Sequence, residues 1–136
     1  MPYRPIEESK LFSDAAKVAD SVAAIVREWP PFDKQTVGLQ LVRALDSIAA
    51  NLVEGDSRFS NRESLRFFDI SRASSREATY WLNRAHARKI LNSADFEMFV
   101  AQVEEVRMQL SGLITYRRQV LGVKEETPAY DEKSEI

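Results

Sequence analysis

The sequence contains no cysteine and only one histidine, His86, among its 136 residues. Without cysteine the chain can form neither a disulfide nor a thiolate site, which suits a protein that folds in a reducing compartment. With a single histidine we expect no catalytic triad and no two-histidine metal site. The repeated Glu-x-x-His motif of di-iron bundles is excluded for the same reason. A glycine-rich phosphate loop and a dinucleotide fingerprint are also missing. We therefore expect no catalytic residues, no metal, no cofactor and no enzymatic activity.

Long apolar runs are absent as well. The longest, such as residues 22–26, contain only a few residues, whereas a membrane-spanning helix needs about 20. The first eight residues contain two prolines and two acids, where a signal peptide would have an apolar segment of roughly 7–15 residues. These absences predict a cytoplasmic protein that does not interact with a membrane.

Glycine and proline are scarce, with four and five residues, while 44% of the residues are apolar and 29% are charged. This composition is typical of a compact, helix-rich domain. Residues 123–136 contain five acids and two lysines, so this segment carries a charge of −3 and leaves +1 on residues 1–122. We expect a single domain over residues 1–122, followed by an acidic, solvated C-terminal tail over 123–136.

Four segments show apolar residues at every third or fourth position, which is the spacing of amphipathic helices. No segment shows the alternation of a strand. The predicted helices cover residues 9–28, 33–54, 60–91 and 93–122. Four such helices with short connections predict an all-α, up-down-up-down four-helix bundle.

The predicted helix ends depend on residues that satisfy exposed backbone groups. Asp33 and Ser93 are predicted N-caps of helices two and four, and Ser60 forms a capping box with Glu63 at the start of helix three. Gly55 is predicted to end helix two in the left-handed conformation.

Helix two is apolar on two sides. Besides its core positions it carries a second group, interrupted by Asp46, which we call the apolar face: Leu39, Val42, Ala49 and Val53. A single four-helix bundle covers one side of a helix only, so a second apolar side requires a further neighbour. We infer that the apolar face contacts another subunit.

Polar residues form a narrow stripe between these two sides. The polar stripe consists of Gln40, Arg43, Ser47, Asn51 and Glu54, and Gly55 follows it. Such residues can form a hydrogen-bonded seam where helices or subunits meet, because a buried polar group without a partner costs roughly 1–3 kcal/mol. The alternative is a ligand-binding network. Arg43 and Glu54, as the charged members, are expected to matter most.

These residues carry a family resemblance. The relevant segments are Gln40-Leu41-Val42-Arg43-Ala44, Ser47-Ile48, Asn51-Leu52-Val53-Glu54-Gly55, Glu63 and Phe67-Phe68. This pattern resembles the bacterial four-helix-bundle family of 23S ribosomal RNA intervening-sequence proteins, and the similarity extends over about residues 12–120. Leu52-Val53 replaces the more usual Ile-Ala, and Asp46 stands where an apolar residue is common.

The resemblance implies a ring-shaped homopentamer without established enzymatic activity. Some members of this family are encoded inside insertions in ribosomal RNA genes. The related accessory variability proteins of diversity-generating retroelements bind nucleic acid and a reverse transcriptase through a strongly basic surface. This chain differs from that branch in its acidic balance.

Helix three nevertheless carries arginines opposite its apolar side, with Arg72 at the edge of this group, Arg58 just before the helix and one tyrosine among them. We call these residues the arginine face: Arg58, Arg62, Arg66, Arg72, Arg76, Tyr80, Arg84 and Arg88. Guanidinium groups bind phosphates and aromatic rings stack on bases, so this face is a candidate nucleic-acid surface. The alternative is an ordinary solvated surface on which Asp69 and Glu77 are local partners.

Three functional hypotheses follow. The first is a non-enzymatic homo-oligomeric scaffold or adaptor that presents a repeated surface to a protein or RNA partner. The second is an RNA- or DNA-binding accessory protein that acts through the arginine face, with avidity from several copies. The third is a small-molecule site in the bundle or ring channel, for which no residue gives a clear signal.

Overall fold

The computed structural model describes residues 3–120, and within this range all regular structure is helical. The long helices are α1 (Lys10–Val26), α2 (Leu39–Asp56), α3 (Asn61–Ala87) and α4 (Ser93–Val120). A short 3-10 turn, Ile6–Glu8, precedes α1, while a helical turn, Pro31–Asp33, and a π-helical segment, Lys34–Gly38, lead into α2. The predicted all-α four-helix bundle is confirmed.

Each long helix packs against its neighbours in the chain, and α4 packs back against α1. The four helices therefore surround one core in the order of the chain, as in an up-down-up-down bundle. The fully buried side chains that fill the core most are Val22, Leu41, Leu45, Ile48, Leu52, Phe68, Leu82, Phe99, Val103, Leu110 and Ile114. The contact between α2 and α3 is the most extensive.

The helical backbone that leads into α2 begins at Pro31, before the predicted start at Asp33, and Asp33 is not an N-cap. Pro31 occupies the first helical position and Asp33 makes no side-chain capping bond. Proline is well suited to that position because its fixed φ matches the helix and its missing amide hydrogen has no intrahelical partner there. The helical backbone then continues through the π-helical segment into Leu39.

The expected left-handed conformation of Gly55 is wrong. Gly55 is buried inside α2, which continues to Asp56. A Cβ atom at this position would lie 2.8 Å from Cε1 of Phe68 and 3.0 Å from the carbonyl oxygen of Ser64. The glycine is therefore explained by the close approach of α3 and not by the end of its own helix.

Helix α3 begins as predicted and ends four residues early. The Ser60 hydroxyl accepts a bond from the amide of Glu63 at 3.0 Å. At the other end the helix stops at Ala87, because Lys89 takes the left-handed conformation with φ of 61°. The amides of Ile90 and Leu91 both turn back onto the carbonyl of Ala85 at 3.0 and 3.3 Å, a C-terminal closure that usually places glycine at the left-handed position.

Helix α4 is capped one residue before the predicted Ser93. The side-chain oxygen of Asn92 accepts a bond from the amide of Asp95 at 2.8 Å. Ser93 is already helical, and its hydroxyl lies 3.1 Å from Nε2 of His86. The predicted closure of this helix at Gly122 and the acidic segment 123–136 lie outside the described residues.

The periodicity of apolar residues does not predict the burial of four serines of α3: Ser64, Ser71, Ser74 and Ser75. Small residues let two helices approach closely, and buried hydroxyls need hydrogen-bond partners. Ser71 donates to the backbone carbonyl of Ile48 in α2 at 2.7 Å. The extensive α2–α3 contact thus combines small side chains with hydrogen bonds across the interface.

None of the helices within residues 3–120 is both long enough and apolar enough to cross a bilayer.

Candidate interaction surfaces

The apolar face lies at the edge of the core. Val42, Ala49 and Val53 are half-buried and pack against core residues, whereas Leu39 is 42% exposed. Phe32, two helical turns before Leu39, is 72% exposed. The single chain thus leaves Leu39 exposed and the other three side chains only partly covered, which makes this row a candidate interaction surface.

An acidic group stands in the middle of this row. Asp46 lies four residues after Val42 and seven before Val53, on the outer side of α2. Burial raises the pKa of the Asp46 carboxyl above its ordinary value, and the nearby Asp20 of α1 raises it further. Neither Asp20 nor Asp46 forms a hydrogen bond or ion pair within the described chain. The sequence could not show this proximity, because the two residues lie on different helices.

Part of the polar stripe forms a small hydrogen-bonded cluster between α2 and α3. The hydroxyls of Ser47 and Ser74 lie 2.9 Å apart. The Asn51 amide nitrogen donates to the Ser47 hydroxyl at 2.9 Å and to the Ser47 carbonyl at 2.8 Å. These groups satisfy one another at the edge of the helix pair, which is the arrangement that a structural seam requires.

The charged members of the polar stripe lie apart from that cluster. Glu54 pairs with Arg58 at 2.6 Å, and Arg58 also stacks over the ring of Phe67 at 4.6 Å from the ring centre. Arg43 is exposed and makes no ion pair with the described residues. Gln40 is half-buried. The stripe therefore divides into a Ser47–Asn51 centre and two separate charged positions.

Several arginines of the arginine face are tied to neighbouring groups. Arg72 binds the carboxylate of Asp69 at 2.9 Å, and Arg118 of α4 reaches the same carboxylate at 3.3 Å. Arg58 is held by Glu54 and by Glu63, the latter at 3.7 Å. Arg58 thus joins the end of α2 to the start of α3, whereas Arg72 pairs within α3.

The remaining arginines of this face point away from the core. Arg66, Arg76 and Arg88 are exposed and Arg84 is half-buried, and none of them forms an ion pair within residues 3–120. Arg62 is also exposed. Tyr80, 55% exposed, lies between Arg76 and Arg84 on successive turns. The outer side of α3 thus carries several uncompensated positive charges next to an accessible ring.

Glu77 forms no ion pair with the arginines of this face among the described residues. Its carboxylate accepts a bond from the indole nitrogen of Trp81 at 3.1 Å, and Trp81 meets Tyr80 edge to face with 4.8 Å between ring centres. An open groove of about 710 Å³ between α3 and α4 places Arg72, Arg76 and Arg107 beside Asp69 and Glu104. Glu104 pairs with Arg107, and this hydrogen bond lowers the pKa of the Glu104 carboxyl.

His86 has a packing role in the described chain. Its ring stacks on Phe96 with 4.3 Å between ring centres and 13° between ring planes. Among residues 3–120 there is no group of three or more histidines, aspartates or glutamates arranged to hold a metal ion.

A second hollow, of about 580 Å³, lies where the N-terminal turn meets α4. Ile6, Leu11 and Leu113 form its apolar wall, and Arg117 and Asp56 contribute charges of opposite sign. Tyr3 bonds through its hydroxyl to Asp56, which also accepts the backbone amide of Ile6 at 3.1 Å. These polar groups serve to anchor the N-terminal turn.

Comparison with known proteins gives one family and one fold. The family model described as "23S rRNA-intervening sequence protein" matches residues 7–112. A crystal structure of a protein of unknown function from the S23 ribosomal protein family of Bacteroides thetaiotaomicron VPI-5482 superposes with a TM-score of 0.69 at 17% identity. The superposition covers 76% of this chain and 97% of that one. No curated protein matches the sequence.

Proposed function

The chain belongs to the family of 23S rRNA-intervening sequence proteins, and from its uncovered apolar face we propose that it acts as a self-assembling scaffold or adaptor without enzymatic activity. The family resemblance suggests a ring of five copies. The absence of cysteine favours the cytoplasm as the place where it acts. The observation that carries the proposal is the exposure of Leu39 beside half-buried Val42 and Val53.

The energetic reason for assembly is burial of that surface. Each Å² of apolar surface removed from water contributes roughly 25 cal/mol, so covering a row of aliphatic side chains in several copies is a strong driving force. Apolar side chains also extend onto the segment before α2, where Phe32 is exposed. Another copy of the chain can cover this surface, since it is present wherever the chain itself is.

The proposed role without catalysis agrees with how the ionisable groups are used. Glu54, Asp69 and Glu104 are each engaged by an arginine of the same chain, and His86 is stacked against Phe96. Groups committed to such structural contacts are poorly placed to exchange protons with a substrate.

Light scattering with mass determination tests self-assembly at micromolar protein concentration. The wild-type chain is expected to give the mass of several copies. Replacing Leu39 with Lys is expected to weaken the association at least tenfold, which corresponds to about 1.4 kcal/mol, because an ammonium group would have to be buried in the contact. Met108→Lys is the matched control, since Met108 is 59% exposed on α4. A wild-type monomer would contradict the proposal.

Nucleic-acid binding is the second candidate, favoured by the uncompensated Arg66, Arg76 and Arg88 next to the exposed ring of Tyr80. Binding through these groups would release counterions from phosphates, so the affinity for a single-stranded RNA should fall steeply with salt concentration.

The test compares wild type with a chain that carries both Arg66→Glu and Arg76→Glu. We expect the affinity for RNA to fall at least tenfold in the double variant and to change little in Lys17→Glu, a control on the exposed side of α1. Binding that does not depend on salt, or that survives in the double variant, would eliminate this candidate.

A further inference from the structure

We propose that the apolar face of one copy docks onto the arginine face of the next copy, so that arginines around Arg66 and Arg76 pair with Asp20 and Asp46 of their neighbour. This inference rests on the proposed self-assembly and specifies its geometry: the contact joins two different surfaces and places one copy's cations on the other copy's acids.

The first observation is that, within the described chain, Asp20 and Asp46 lack the side-chain partners that Asp14 and Asp69 have. Asp14 is bound by Lys10 at 2.7 Å and by the side-chain amide of Gln109 at 2.8 Å, and Asp69 is bound by two arginines. Asp20 and Asp46 have neither kind of partner within residues 3–120. Burial, and after it the negative charge of Asp20, raise the pKa of the Asp46 carboxyl.

The position of Asp46 makes its lack of a partner significant. The carboxylate lies in line with Leu39, Val42 and Val53, so any partner that covers these side chains also covers the acid. Burying a carboxylate without a counterion is strongly unfavourable, and a charge-assisted bond to arginine is the usual solution at interfaces. The occupant of the apolar face must therefore bring a cation.

The second observation is that the same chain carries surplus cations elsewhere. Arg66, Arg76 and Arg88 project from the outer side of α3 without ion-pair partners in the described range. Asp46 lies on the side of α2 that faces α1, because it interacts electrostatically with Asp20. Ser47 lies on the other side of α2 and contacts Ser74 of α3. The unpaired acids and the unpaired arginines therefore lie on different sides of the bundle.

The arginine face also offers apolar surface to cover aliphatic side chains. Ala73 and Tyr80 are exposed between the arginines, and the methylene stems of arginines can lie along apolar neighbours while their guanidinium groups reach the acids. A tyrosine and several arginines are residues that protein interfaces favour.

Charge also disfavours the simplest alternative. A two-fold symmetric contact places the same patch of both copies against itself. Two apolar faces packed in this way would bring Asp20 and Asp46 of one copy toward Asp20 and Asp46 of the other, and like charges at an interface are repulsive. A contact between unlike surfaces removes this repulsion, and it gives a ring when its rotation closes after a whole number of copies.

The first experiment replaces Asp46 with Asn and measures two quantities. Assembly at low salt is expected to require at least tenfold higher protein concentration than in wild type, since the arginines lose their charged partner. The melting temperature of the dissociated chain should be unchanged or higher, because the charged carboxylate is disfavoured in the folded monomer. Glu97→Gln on α4 is the matched control.

A purely structural role for Asp46 would lower the monomer's melting temperature together with the assembly. An unchanged assembly in Asp46→Asn would overturn the inference.

The second experiment mixes two variants with complementary defects. Asp46→Arg damages the acidic surface and keeps the arginine face, and the double variant Arg66→Glu, Arg76→Glu does the reverse. Each should be monomeric alone. An equimolar mixture should assemble again, because the two unaltered faces pair with each other and the two charge-reversed faces are again opposite in charge; a mixture that stays monomeric would overturn the inference.

The outcomes separate the inference from the self-assembly on which it rests. A wild-type chain that is monomeric contradicts self-assembly itself. A wild-type assembly that the double arginine variant forms equally well contradicts the inference alone, since a contact between two apolar faces would not involve α3.

Discussion

Gly55→Ala is expected to lower the free energy of unfolding by about 1–3 kcal/mol, the usual effect of inserting a methyl group into a well-packed core. The added Cβ would lie 2.8 Å from the Phe68 ring and 3.0 Å from the Ser64 carbonyl. Neither neighbour can yield easily, because the ring is fully buried and the carbonyl belongs to the backbone of α3. Urea denaturation at fixed protein concentration measures the change.

Gly112→Ala is the matched control and should raise the free energy of unfolding. Gly112 also lies inside a long helix, but an added Cβ would meet no atom within 4 Å. Without a steric conflict, alanine should stabilise the helix by about 0.5–1 kcal/mol through its lower backbone entropy in the unfolded chain. If both variants were destabilised equally, the close α2–α3 approach would not be the reason for Gly55.

Phe68→Ala is expected to have the largest effect on stability, about 3–5 kcal/mol, which is typical of a buried aromatic residue. Phe68 is fully buried at the place where α3 meets Gly55, and Arg117 of α4 lies 5.4 Å from its ring centre. Its removal would leave a cavity where three helices meet. Thermal unfolding followed by circular dichroism would show a melting temperature lower by more than 10 °C, given a slope of roughly 4 °C or more per kcal/mol.

Phe59→Ala provides the control for Phe68, because Phe59 is 107% exposed in the connection before α3. Its effect should stay within about 0.5 kcal/mol. The double variant Gly55→Ala, Phe68→Ala should be more stable than the sum of the single effects indicates, because the new methyl group can occupy space that the ring has left. Strict additivity would show that the two positions do not interact.

The number of helices and most of the core could be predicted from the sequence, because both depend on local periodicity. Leu41, Leu45, Ile48 and Leu52 recur at helical spacing and are all fully buried. The Ser60 N-cap could also be predicted, since its capping bond joins residues three apart in the chain.

The start of α1 at the Ser9 N-cap also agrees with the prediction, whereas several other predicted helix ends failed because tertiary contacts or a competing local signal prevailed. Gly55 resembles a helix-ending glycine, and only the position of Phe68 shows that it serves close packing. Lys89 in the left-handed conformation has no sequence signal, because glycine or asparagine usually occupies that position. Asn92 and Ser93 are adjacent and both residue types favour the N-cap position, so the sequence did not show which of them caps α4.

For the interaction surfaces, the sequence by itself determined which residue types share a helix face. The apolar face of α2 and the arginine face of α3 follow from the period of 3.6 residues, since that period fixes which side chains point the same way. The family resemblance also depends on this local pattern, and the match over residues 7–112 confirms it.

The tertiary structure alone decided how these faces relate to each other. It placed Asp20 beside Asp46, joined Ser47 to Ser74, and gave Glu54 and Asp69 arginine partners while leaving Arg66 and Arg76 without any in the described range. Periodicity specifies directions around one helix axis, whereas pairing depends on how four axes are packed and rotated against one another. That packing is set by the whole core, including small buried residues such as Gly55 and Ser71.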